Sequence, residues 1–173
     1  MIIAPIAASP STIDALADLL VETVAAGGSV SFMHPLSVAD ATAFWRASLA
    51  EADKGTRVVL GAWDGPSLIG TLTLLLDCPP NQPHRAELAK MMTRVAFRGR
   101  GVATQLLLEA ERIALDRGRT VINLDTAEDE GAAGFYEKMG YIRAGVIPDY
   151  ALKPHGGLTG TIIFWKKLSM FIM

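Results

Sequence analysis

Within residues 85–117 the apolar pattern changes its period across one short turn. Residues 85–95 read as a strand and residues 102–117 as an amphipathic helix, with Arg98-Gly99-Arg100-Gly101-Val102-Ala103 joining them. Two glycines allow a tight turn and leave the backbone N–H groups uncovered. The following helix adds its unpaired N-terminal N–H groups and the positive end of its dipole. Two arginines add charge and forked donors. Such a turn suits the phosphates of a ligand.

The same period test organises the rest of the chain. Residues 2–7 form a first strand, and Ser9, Ser11 and Thr12 offer N-caps to a helix spaced as Ile13, Leu16, Leu20 and Val24. Gly27-Gly28 ends it, and residues 29–33 are a loop or a short extended piece. Ser37 caps a second helix that runs to Ala52, with Phe44 and Leu49 facing inward. Residues 57–63 and 68–78 are strands about an Asp64-Gly65 hairpin turn. After the long helix, whose inward residues are Val102, Leu106, Ala110, Ile113 and Ala114, come a strand at 120–124 and a helix at 130–139. Strands at 141–147 and 159–166 close the pattern, with a long loop at 148–160 between them. The order β-α-α-β-β-β-α-β-α-β-β predicts an α/β sandwich around a mixed sheet, in one domain over residues 1–173.

Composition narrows the function. A net charge of −2 lacks the basic footprint of a nucleic-acid binder, so Arg94, Arg98 and Arg100 have a local task. One cysteine, Cys78, permits no intrachain disulfide. No signal peptide or membrane-length apolar run is present, so a cytoplasmic protein is expected. His34 and His155 lack metal-site spacing, and Cys78 lacks a paired base; no metal is expected.

The turn itself admits a solvated arginine pair, or a dinucleotide fingerprint in which Asp125 ends the next strand. Against the fingerprint, Thr104 replaces its third glycine. The preceding strand also carries Glu87, Lys90, Thr93 and Arg94, too polar for the centre of a doubly wound sheet.

Arg98-x-x-Gly101-x-Ala103 resembles the cofactor signature of the GNAT N-acetyltransferase superfamily. Ala133-Gly134-Phe135-Tyr136-Glu137-Lys138-Met139-Gly140-Tyr141 resembles its second motif, and the element order fits throughout. Gly28-Ser29-Val30-Ser31-Phe32-Met33, Arg85-Ala86-Glu87 and Leu124-Asp125-Thr126 are similar to segments of its tabtoxin-resistance branch. Val95, where the family often has proline, and Asp129, where it usually has asparagine, depart from the pattern.

The resemblance implies a mostly antiparallel sheet of six to seven strands with helices on both faces. It implies acetyl-CoA as donor and a small-molecule amine as acceptor. Arg98, Gly99, Arg100, Gly101, Val102, Ala103 and Thr104 would hold the pyrophosphate, and the backbone of Met91, Met92 and Thr93 the pantetheine. An N–H near Met92 or Thr93 would face the thioester oxygen. Tyr136 would assist the departing thiolate. The base is Asp125 or Glu87, or a water chain. Each carboxylate has a plainer reading: Asp125 as a turn cap with Glu128, Glu87 as a partner of Arg85 or Lys90. The acceptor pocket would come from residues 29–34 and 149–157, with Phe32, Asp149 and Tyr150 as its wall. The tail Met170-Phe171-Ile172-Met173 packs on the domain or on a second copy in a homodimer.

Overall fold

The computed structural model describes residues 1–129 and 131–169. Seven strands form one sheet: β1 (Ile2–Pro5), β2 (Arg57–Asp64), β3 (Ser67–Leu75), β4 (Arg85–Thr93), β5 (Val121–Ala127), β6 (Ile142–Leu152) and β7 (Leu158–Lys167). Their order is β1-β2-β3-β4-β5-β7-β6. The β4–β5 pair is parallel and every other pair antiparallel. The expected mixed sheet with helices on both faces is what the chain forms. One parallel pair is not a doubly wound sheet, so the dinucleotide reading falls with its topology.

Strand alternation divides the core in two. Val58, Leu60 and Ala62 enter one cluster with α3 (Val102–Asp116) and α4 (Ala133–Lys138). Val59 enters the other with α1 (Pro10–Ala25) and α2 (Val38–Asp53). The α1 start is a capping box: the Thr12 N–H donates to Ser9 Oγ at 3.1 Å, and the Ser9 N–H donates to Thr12 Oγ1 at 3.0 Å. In α2, Leu49 is buried as expected, but the fully buried ring is Trp45; Phe44 beside it is half-buried. All five inward residues expected of α3 are buried.

Several boundaries differ from the sequence reading: β1 stops at Pro5, β3 at Leu75 and β4 at Thr93, each two or three residues short of the expected end. β5 continues to Ala127, and α4 begins at Ala133; the expected start at Glu130 lies outside the described residues, as does the apolar tail. The long loop expected at 148–160 is mostly strand. β6 runs through Pro148 and turns back to β7 at residues 153–157. Proline there reads as a breaker, but β6 is an edge strand, where a missing N–H removes no ladder bond. The register shifts between Ile147 and Ala151, so Pro148, Asp149 and Tyr150 bulge opposite Gly160.

Candidate active site

The parallel pair opens like a fork. β4 and β5 are paired at Arg85–Val121, Ala86–Ile122 and Glu87–Asn123, and there the pairing ends, while β5 continues along β7 to Ala127. On its other side β4 carries a bulge. Ala89 pairs with Thr73 and Met92 with Thr71, so Lys90 and Met91 together oppose Leu72. Lys90 sits there with φ +53°. The extra residue reverses the alternation: Leu88 enters the α3–α4 core, and Met92 the α1–α2 core.

The fork is a cleft of about 410 Å³. Arg98, Ala103 and Tyr136 line it from the α3–α4 side of the sheet, and Ser31, Phe32 and Lys90 from the α1–α2 side. Tyr150 and Thr161 line it from the β6–β7 side.

At the α3 end, Gly99 and Gly101 take φ +74° and +80°, and Gly101 is the helix N-cap. The Gln105 N–H donates to the Gly101 carbonyl at 3.1 Å. The N–H groups of Val102, Ala103 and Thr104 therefore precede the helical ladder. Arg100 lies over the Phe97 ring at 5.2 Å. Arg94 is taken up differently: its Nη1 meets Glu22 Oε2 at 2.6 Å and its Nε donates to the Leu68 carbonyl at 2.7 Å. It ties α1 to the end of β4 and is no part of the cleft wall.

The Arg94 N–H donates to the Ile69 carbonyl at 2.9 Å. Backbone groups alternate sides along a strand, so those of Met92 turn toward β3 and those of Met91 and Thr93 toward the open fork. Of the three residues expected to offer backbone to a ligand, Met92 is thus turned away, and its side chain is buried.

Tyr136 reaches the cleft from α4 with its ring packed among Phe135, Tyr141 and Phe164 at 5.3–5.8 Å. It is only 6% exposed. Burial, and then the negative charge of Asp125, push its phenol well above the ordinary tyrosine range. Asp125 lies inside β5, so it caps no turn. Leu124 enters the α3–α4 core, which turns Asp125 to the opposite face, where Thr161 Oγ1 donates to its Oδ2 at 2.9 Å. Glu87 shares that face but stands at the closed end of the fork. Arg85 Nη1 reaches its Oε2 at 3.3 Å, Asn123 Nδ2 donates to it at 3.4 Å, and it lines no part of the cleft.

The two segments expected to form an acceptor pocket do meet. The His34 N–H donates to the Pro154 carbonyl at 2.8 Å, and the His34 and His155 rings are 4.5 Å apart. Phe32 lines the cleft with its ring edge-on to Phe44 at 5.1 Å. Tyr150 lines it too, but Asp149, at φ +51° in the β6 bulge, does not. The bulge turns Asp149 outward, so of the three residues expected as the wall, Asp149 is not on it. Asp129 instead fastens the β6–β7 hairpin: Lys153 Nζ and Thr159 Oγ1 donate to it at 2.7 and 2.8 Å.

Lys90 lines the cleft, but the sequence reading gave it only as a partner of Glu87. Its signal was a cation in a strand otherwise read for its carboxylate and its methionines, and nothing local showed the bulge that aims it.

Residues 24–141 match the model of the acetyltransferase (GNAT) family. The whole fold is similar to that of an N-acetyltransferase from Staphylococcus aureus Mu50, with a TM-score of 0.80 and 15% identity, covering 98% of this chain and 100% of that one. A ribosomal-protein-alanine N-acetyltransferase from Brucella melitensis gives 0.81 at 18% identity, covering 97% and 100%. An aminoglycoside 6'-N-acetyltransferase complexed with coenzyme A gives 0.74 at 22% identity, covering 96% and 97%. At these identities the likeness is one of fold.

Proposed function

The chain belongs to the acetyltransferase (GNAT) family, and from that premise we propose that it is an acetyl-CoA-dependent N-acetyltransferase for a small amine. One observation carries the reading: the uncovered N–H groups at the start of α3 stand at one end of a cleft that Tyr136 and Asp125 both line. The residues present fit the donor. The turn at 98–104 offers successive N–H groups and two arginines to a pyrophosphate. The open edge of β4 offers the Met91 and Thr93 backbone to the amides of pantetheine, as one strand receives another.

Acetyl-CoA supplies the acetyl group as a thioester; the chain's residues prepare the amine and receive the charge. A lysine-like amine is almost wholly protonated at neutral pH, with an ordinary pKa near ~10.4. Asp125 holds the ammonium and takes its proton, directly or through water, as the amine attacks the acetyl carbon. The Thr93 N–H faces the carbonyl oxygen as charge develops there. Tyr136 donates a hydrogen bond to the departing sulfur. Even an unshifted phenol would give up its proton to a thiolate at a cost of about 2 kcal/mol, and the upward shift of Tyr136 makes that transfer steeper. Tyr136 therefore works as a neutral donor, and the thiolate is protonated from solvent, to which Asp125 releases the proton it took from the amine.

Of the two candidate bases we assign Asp125, because Glu87 is engaged by Arg85 and Asn123 outside the cleft. The similarity of residues 28–33 and 124–126 to the tabtoxin-resistance branch supports an amino-acid-like acceptor, and the single cysteine, Cys78, fits a cytoplasmic site of action.

Calorimetry with acetyl-CoA, followed by free-thiol release across an amine panel, tests the reading. Binding tighter than about 1 mM and amine-dependent thiol release are expected. No binding overturns it; binding without thiol release under any amine makes the chain an acyl-CoA sensor instead.

A further inference from the structure

Lys90 has no task in the chemistry above, yet the fold holds it in the cleft at some cost. Its backbone occupies the left-handed region, φ +53°, at a β-bulge. Side chains other than glycine are held there chiefly where the surrounding structure imposes it, and such positions gather at functional sites. A regular β4 would leave Lys90 on the face of Leu88, in the apolar α3–α4 core. The bulge sends it to the opposite face, into the cleft wall.

There its Nζ donates to Ser31 Oγ at 2.9 Å and lies 5.8 Å from the centre of the Phe44 ring. Among the described residues no carboxylate forms an ion pair with it. Burial draws its ammonium below the ordinary lysine range, and the more distant Asp125 only partly offsets this. A half-buried ammonium with a hydroxyl and a ring face as neighbours has donor capacity left over. Lys90 and Asp125 thus present opposite charges to the same cleft, and both lie on the α1–α2 side.

We propose that Lys90 binds an anionic group of the acceptor, a carboxylate on the same small molecule as the reacting amine, so that the enzyme selects amino carboxylates over simple amines. The ammonium meets Asp125 and the carboxylate meets Lys90. A charged hydrogen bond in a partly dry site discriminates strongly against a ligand that cannot make it, because the protein group is then left unpaired. The inference rests on the acetyltransferase reading and names its acceptor class.

The test uses four L-amino acids (methionine, phenylalanine, glutamate and lysine), each against its decarboxylated amine. Turnover is read as free thiol, and binding as saturation-transfer NMR in the presence of coenzyme A. The wild type is expected to favour at least one amino acid over its amine by about tenfold or more in kcat/KM. Lys90→Met is expected to collapse that ratio toward one, and Lys90→Arg to keep most of it. Calorimetry with acetyl-CoA and thermal melting show that each variant is folded. Should Lys90→Met fail to fold, Lys90→Gln, which removes the charge but keeps a polar side chain, is expected to lower the ratio in the same direction.

Acetyl-CoA binding with no carboxylate preference in turnover or NMR overturns the inference, as does a preference that survives Lys90→Met or, in its place, Lys90→Gln. Failure to bind acetyl-CoA at all overturns the acetyltransferase reading, and the inference with it.

Discussion

Tyr136 shows how one side chain serves two ends. Its ring completes an aromatic cluster with Phe135, Tyr141 and Phe164, while the residue lines the cleft. Tyr136→Phe keeps the packing and removes the donor. Its kcat is expected to fall about 10²–10³-fold, the range for losing one preorganised hydrogen bond to developing charge, with the acetyl-CoA Kd unchanged by calorimetry. The raised phenol also has a consequence for stability. The native state favours the protonated ring, so this contribution is intact below the unfolded tyrosine pKa near ~10 and is lost as pH rises toward the folded value. Chemical denaturation above that pH is expected to show wild-type stability falling, and Tyr136→Phe falling less steeply. Asp125 can be replaced almost isosterically, because asparagine still accepts from Thr161. Asp125→Asn is expected to melt as the wild type does while kcat drops about 10²–10⁴-fold; unchanged turnover would return the proton to a water chain.

At the scale of elements, the turn proposed to bind the cofactor depends on backbone conformation and on how closely α3 approaches the sheet. Gly101 holds φ +80°, and a Cβ there would meet no atom within 4 Å. Gly101→Ala therefore adds conformational strain without a clash. A loss of about 1–2 kcal/mol is expected, together with a weaker acetyl-CoA Kd as the turn relaxes and its N–H groups splay. Gly70 on β3 fails for the opposite reason. A Cβ there would lie 2.7 Å from Val102 Cγ1 and 3.0 Å from the Met92 carbonyl oxygen. Gly70→Ala is expected to cost about 1–3 kcal/mol by overpacking, and to weaken acetyl-CoA binding by lifting the start of α3. Urea titration and calorimetry on both variants separate the two mechanisms.

At the scale of the molecule, the helical layer of α1 and α2 is fastened to the sheet beside the cleft. Glu22 on α1 accepts from Arg94 at 2.6 Å and from the Val95 N–H at 2.8 Å. Because both side chains are partly solvated, Glu22→Gln is expected to cost about 1 kcal/mol, or about 2–4 °C in Tm for a chain of this size. The order of elements and the glycine turn ahead of α3 were legible in the sequence, because period, capping and turn chemistry act over a few neighbouring residues; Tyr136 was singled out by resemblance. Ser9 could be read as a cap and Gly101 as a turn residue without any knowledge of what lay across the sheet. Other features could not be read in this way. Pro148 looked like a break because nothing local says that β6 is an edge. Glu87 and Asp125 looked equivalent until β4 and β5 were seen to part at Glu87, leaving one carboxylate in the cleft and the other held by Arg85 and Asn123. Lys90 entered the site through a bulge defined by pairing with β3. What each segment becomes follows from interactions a few residues apart, and these the chain determines by itself. Which face a side chain presents, and what it meets there, depends on strand register, and register exists only once residues far apart in sequence are paired.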